Sequence, residues 1–90
     1  LEIRRTTGDR PVKIAILDTG VSKQLMIERN IHAYRDFVEQ ESIPKDNTGH
    51  GSHMLRLLKD TAPDAQIYVA RVFSNDFVDA DASIRLCQVY

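Results

Sequence analysis

The stretch that most constrains this chain is Val12-Lys13-Ile14-Ala15-Ile16-Leu17, which runs straight into Asp18-Thr19-Gly20. Six residues rich in β-branched side chains are too few for a stable helix. They fit a strand buried on both faces, as in a parallel sheet, with Gly20 ending it. Two further strands are expected. One spans Ala33 to Val38, with Tyr34, Asp36 and Val38 on one side; the other spans Ala65 to Phe73, with Ile67, Val69, Val72 and Phe73 apolar. Between them, His50, Met54, Leu57 and Leu58 fall at i, i+4, i+7 and i+8, which predicts a helix from His50 to about Leu58 with Thr48 or Ser52 at its start. Pro63 limits its continuation.

The intervals complete an organisation. Residues 1–11 are a polar lead-in ending Gly8-Asp9-Arg10-Pro11, and residues 12–90 are one small domain or a piece of a larger one. Residues 21–32 read as an irregular or short helical connection, and Glu39 to Thr48 as a polar loop. A last helix begins near Asp79 or Asp81, with Ala80, Ile84 and Cys87 on one face. Strands separated by helical connections place the chain in the α/β class, as a three-layer parallel sheet with flanking helices.

Composition excludes several functions. The net charge is −1 and Lys and Arg form no run, so neither nucleic acid nor a membrane surface is expected as a partner. No apolar stretch approaches the roughly 20 residues that cross a bilayer. The lone Cys87 forms no internal disulfide and reads as a small buried hydrophobe. The chain opens Leu-Glu-Ile-Arg-Arg, without an initiator Met or a signal-peptide apolar core, and is expected to belong to a longer protein of unknown compartment.

The chemistry concentrates in two places. Function gathers at the carboxyl ends of parallel strands, where Asp18 lies. A carboxylate there needs a partner, and histidine is a natural one. His50 follows 32 positions later in Asn47-Thr48-Gly49-His50-Gly51-Ser52-His53-Met54, between two glycines that leave its ring accessible. Taken singly, each residue has another reading. Asp18 closes a strand-to-turn junction with Thr19 and Gly20, and His50 is an ordinary surface or core histidine. His53 at i+3 raises a metal pair, for which Asp46 is the nearby third ligand.

Ile16-Leu17-Asp18-Thr19-Gly20-Val21 followed by Gly49-His50-Gly51-Ser52-His53-Met54 resembles the subtilisin-like serine proteases, in which Asp precedes His. Ala62-Pro63-Asp64-Ala65 leading into Gln66 to Phe73 looks like the strand after that family's histidine helix. The resemblance covers roughly residues 12–90, the amino-terminal third or so of such a catalytic domain. It implies an Asp-His-Ser triad that hydrolyses peptide bonds, with Asp18 as orienting acid and His50 as general base. The implied partners are a polypeptide substrate and a pro-segment or inhibitor. No cofactor is evident; the resemblance allows calcium, but Gln24 stands where an early Asp often helps bind it. Many family members are secreted.

The family's oxyanion-hole Asn and its nucleophile within Gly-Thr-Ser-Met-Ala are not found. None of the five serines (Ser22, Ser42, Ser52, Ser74, Ser83) has the nucleophile context, and Ser52 matches a structural hydroxyl in the histidine helix. These 90 residues alone are therefore expected to be inactive, with the serine and oxyanion hole elsewhere in the parent protein. Met54-Leu55-Arg56 replaces the family's Val-Ala-Gly, and Ser74-Asn75-Asp76-Phe77-Val78 lacks the glycines that shape the cleft edge. Such departures suit a second reading, a catalytically dead binding or regulatory module. Leu17-Asp18-Thr19-Gly20 also resembles the active-site turn of aspartic proteases, whose retroviral homodimers share one proton between two Asp residues.

Overall fold

A computed structural model describes residues 11–74, 81, 82 and 85. The lead-in up to Arg10 and the helix face of Ala80, Ile84 and Cys87 lie outside the described residues. Asp81, Ala82 and Arg85 are helical, at the place expected for the last helix. The elements are β1 (Lys13–Asp18), α1 (Lys23–Glu28), β2 (Ala33–Asp36), α2 (His50–Thr61) and β3 (Gln66–Arg71).

The three strands form one parallel sheet in the order β1-β3-β2. Its register sets the last residues of the strands side by side: Asp18 opposite Arg71, and Arg71 opposite Asp36. One face carries Ile16, Ile67 and Val69 against Val21, Leu25, Leu55 and Leu58. A second cluster holds Phe37, Ala70, Val72 and Ala82.

Two expectations need correction. β1 is buried on one face only: Ile16 is buried, whereas Lys13, Ala15 and Leu17 are exposed. Among the described residues, the cluster on the far face of the sheet gathers Ala70 and Val72 with Phe37 and Ala82 and includes no residue of β1. β3 occupies the centre of the sheet and takes the burial, with Ile67, Val69, Ala70 and Arg71 all enclosed. Helix α2 also presents a different stripe from the one read in the sequence. Gly51, Ser52, Leu55 and Leu58 are buried, while Leu57 is 48% exposed. The helix turns its smallest residues inward because the turn after β1 crosses directly over them. Enclosing Leu55 and Leu58 contributes about 1.5–3 kcal/mol each.

That crossing depends on two glycines. A Cβ on Gly51 would stand 2.0 Å from the Gly20 carbonyl oxygen. Gly20 has φ +109°, and a Cβ there would stand 2.0 Å from the Lys45 carbonyl oxygen. Only glycine combines this backbone conformation with this approach. Helix α1 is capped by Ser22, whose hydroxyl accepts from the Leu25 N–H. Helix α2 ends at Thr61, two residues before Pro63.

Candidate active site

Asp18, at the carboxyl end of β1, and His50, the first residue of α2, meet across the sheet edge. The His50 Nδ1 lies 2.8 Å from Asp18 Oδ1 and 2.9 Å from Oδ2. The Thr19 N–H donates to Asp18 Oδ1 at 2.7 Å, which fixes the carboxylate plane. The Asp18 side chain is 13% exposed and that of His50 is 62% exposed. An ionised carboxylate only accepts, so it selects the ring tautomer with the proton on Nδ1 and leaves the lone pair on Nε2. Nε2 is then the basic nitrogen of the ring, and the Asp18 anion lies on the opposite side, where it stabilises an imidazolium.

What holds the two elements in place is not apparent from the sequence. Asp46, which the sequence suggests only as a metal ligand, fastens the start of α2. Its Oδ1 accepts from the Gly49 N–H at 2.9 Å, the Thr48 N–H at 3.2 Å and the Thr19 hydroxyl at 2.8 Å. Its Oδ2 accepts from the Ser52 N–H at 2.9 Å and the Ser52 hydroxyl at 2.7 Å. Burial pushes the Asp46 pKa up, but the hydrogen bonds from Ser52, Gly49 and Thr19 outweigh it and hold it below the ordinary carboxylate value. The buried Thr19 hydroxyl in turn accepts from the Gly51 N–H and from the Thr48 hydroxyl, both at 3.0 Å. The Thr48 hydroxyl also accepts from the His50 N–H at 3.2 Å.

Ser52, next but one to His50, is bound into this network. Besides donating to Asp46, its hydroxyl accepts from the Ser22 N–H at 3.0 Å. The metal set suggested by the sequence is not assembled: His53 is exposed, and both Asp46 oxygens are engaged by hydrogen bonds. Among the described residues, no three His, Cys, Asp or Glu side chains are grouped to hold a metal. Arg56 is exposed and off the packed face of α2. Gln24 donates to Glu28 at 2.8 Å.

A second group not singled out in the sequence lies behind Asp18. Arg71 is fully buried; its Nε donates to the Thr19 carbonyl at 3.2 Å. One terminal nitrogen donates to Asp36 at 3.1 Å and to Glu39 at 2.9 Å. Burial works against the charge, but Glu39 and Asp36 outweigh it and keep the guanidinium protonated. A signal for this group exists: an Arg closing an otherwise apolar strand requires buried acids, and Asp36 closes the neighbouring one. A separate cavity of about 580 Å³ opens along β2, lined by Tyr34, Phe37, Glu41 and Arg85 among others; neither Asp18 nor His50 borders it.

No family model matches the chain. Individual proteins do. Subtilisin BL of Lederbergia lenta is 33% identical over 82 residues, covering 81% of this chain and 30% of that protein. Thermitase of Thermoactinomyces vulgaris is 35% identical over 74 residues, covering 70% of this chain and 26% of that protein. Serine protease AprX of Bacillus subtilis is 35% identical over 49 residues, covering 54% and 11%. The chain thus spans 30% or less of the length of these three relatives.

Proposed function

The chain belongs to the subtilisin-like serine proteases, a family of serine endopeptidases, and from that premise we propose that it supplies two members of a catalytic triad. Asp18 is the orienting acid and His50 the general base. A serine nucleophile comes from polypeptide outside these 90 residues. The substrate is a polypeptide. His50 Nε2 takes the hydroxyl proton as the serine attacks the scissile carbonyl, then returns it to the leaving amine. The Asp18 carboxylate stabilises the imidazolium between these steps.

The observation that supports this most is the Nδ1 contact with both oxygens of Asp18. It directs the remaining ring nitrogen away from the acid, as a general base requires. The same premise makes the 90 residues alone inactive. In subtilisin itself, losing the nucleophile costs about 10⁶ in kcat, a figure carried over from that enzyme.

Fluorophosphonate labelling of the intact protein tests the proposal. A serine is labelled, and His50→Ala abolishes the labelling. Labelling that survives His50→Ala removes His50 from the mechanism. An intact protein that never labels is a catalytically silent member of the family. Inhibition by a statine-type peptide without labelling would instead favour the aspartic-protease reading of Leu17-Asp18-Thr19-Gly20.

A further inference from the structure

We propose that Asp46 is a positioning residue for the Asp18–His50 pair, a reading that deepens the function proposed above and rests on it. The covalent route between the two partners is long. Asp18 and His50 sit on different elements, and 32 positions of chain separate them. A hydrogen bond at 2.8 Å survives only if the end of β1 and the first turn of α2 are held to within a few tenths of an ångström.

Packing alone does not give that precision here. The facing residues are Gly20 and Gly51, which have no side chains to interlock. The register is set by polar groups, and the Asp46 carboxylate bonds to both sides. Toward α2 it takes the Gly49 and Ser52 N–H groups, which flank His50 in sequence. Toward β1 it takes the hydroxyl of Thr19, the residue directly after Asp18. Thr19 closes the circuit by accepting from the Gly51 N–H. The neighbours of both members of the pair therefore converge on one carboxylate. Its negative charge also lies at the N-terminal end of α2, where the helix dipole favours it.

Asp46 touches no reacting atom in this scheme; it acts through His50. Asparagine keeps the shape but loses one acceptor, so it cannot serve the Oδ1 and Oδ2 donors together. The test is Asp46→Asn in the intact protein, read by the ¹⁵N resonances of the His50 ring and by the rate of fluorophosphonate labelling. The expected result is loss of the single Nδ1-protonated form in favour of a tautomer mixture. A labelling rate lower by about 10²-fold accompanies it, the penalty of a misplacement near 1 Å. A folded variant that keeps the wild-type His50 spectrum and labels within about threefold of wild type overturns the proposal, even if its melting temperature falls. Thr19→Val removes the hydroxyl that joins Asp46 to β1, and with it the acceptor of the Gly51 N–H and the Thr48 hydroxyl. It supplies the same readout should Asp46→Asn fail to fold, and an unchanged His50 spectrum there also overturns the proposal. If the wild-type protein does not label but Asp46→Asn still alters the His50 tautomer, the positioning role stands and the protease reading fails.

Discussion

Gly51→Ala sets two effects against each other, and the structure decides between them. Alanine is the better helix former by about 0.8–1 kcal/mol, so propensity alone makes the variant more stable. The added methyl, however, would lie 2.0 Å from the Gly20 carbonyl oxygen. Contacts below about 3.0 Å are not tolerated, so the first turn of α2 and the turn after β1 must separate by at least about 1 Å. The obstruction is backbone and has no rotamer to yield. Overpacking of this kind costs about 1–3 kcal/mol. The Gly51 N–H bond to Thr19, 3.0 Å long, goes with it and removes about 0.5–1.5 kcal/mol more. The sum exceeds the propensity gain, and the expected net loss is about 0.5–3.7 kcal/mol. Because the same separation draws His50 from Asp18, labelling by a fluorophosphonate slows by about 10²-fold. Urea denaturation of the intact protein measures the first effect, as a lower midpoint at unchanged slope. A Gly51→Ala variant at least as stable as wild type and labelling at the wild-type rate would refute the packing argument.

Two other outcomes follow from the buried charges. Arg71→Met strands Asp36, whose side chain is 1% exposed, so urea denaturation should show a loss of about 3–5 kcal/mol; less than about 1 kcal/mol would mean the pair is dispensable. Acid sensitivity comes from Asp46, held low by the hydrogen bonds that outweigh its burial, and from Glu39, held low by Lys45 and Arg71. Both titrate lower folded than unfolded, where the values are about 3.9 and 4.3. The stability they lend is complete above those values and is lost as pH falls through the folded ones. Urea midpoints should therefore drop below about pH 4, less steeply in Asp46→Asn; identical slopes in wild type and variant would remove Asp46 from the titration.

The sequence is most legible where one residue type has few possible uses. The β-branched runs place β1 and β3, and Pro63 places the end of α2. Asp18 and His50 are picked out together by the resemblance of their two segments to the subtilisin-like motifs, and they meet at Nδ1. Less legible is everything that depends on which elements touch. Which face of β1 is covered depends on the elements packed over the sheet, which no local pattern in Val12–Leu17 contains. Hydropathy misplaces the face of α2 because it ranks Leu57 above Gly51, whereas close approach to Gly20 requires the smaller residue. Asp46 sits in a polar loop among Lys45, Asn47 and Thr48, where an acid is unremarkable. Its importance lies in the donors brought to it from Thr19, Gly49 and Ser52.

Asp18→Asn tests the central claim most directly, that the Asp18 carboxylate holds His50 in the state that accepts a proton. Asparagine occupies nearly the same volume, so the fold and the unfolding midpoint stay close to wild type. Its amide no longer enforces a proton on Nδ1. Fluorophosphonate labelling of the intact protein should slow by about 10⁴-fold, the scale of the corresponding Asp-to-Asn change in a Ser-His-Asp protease. A folded Asp18→Asn protein that labels at the wild-type rate would contradict it.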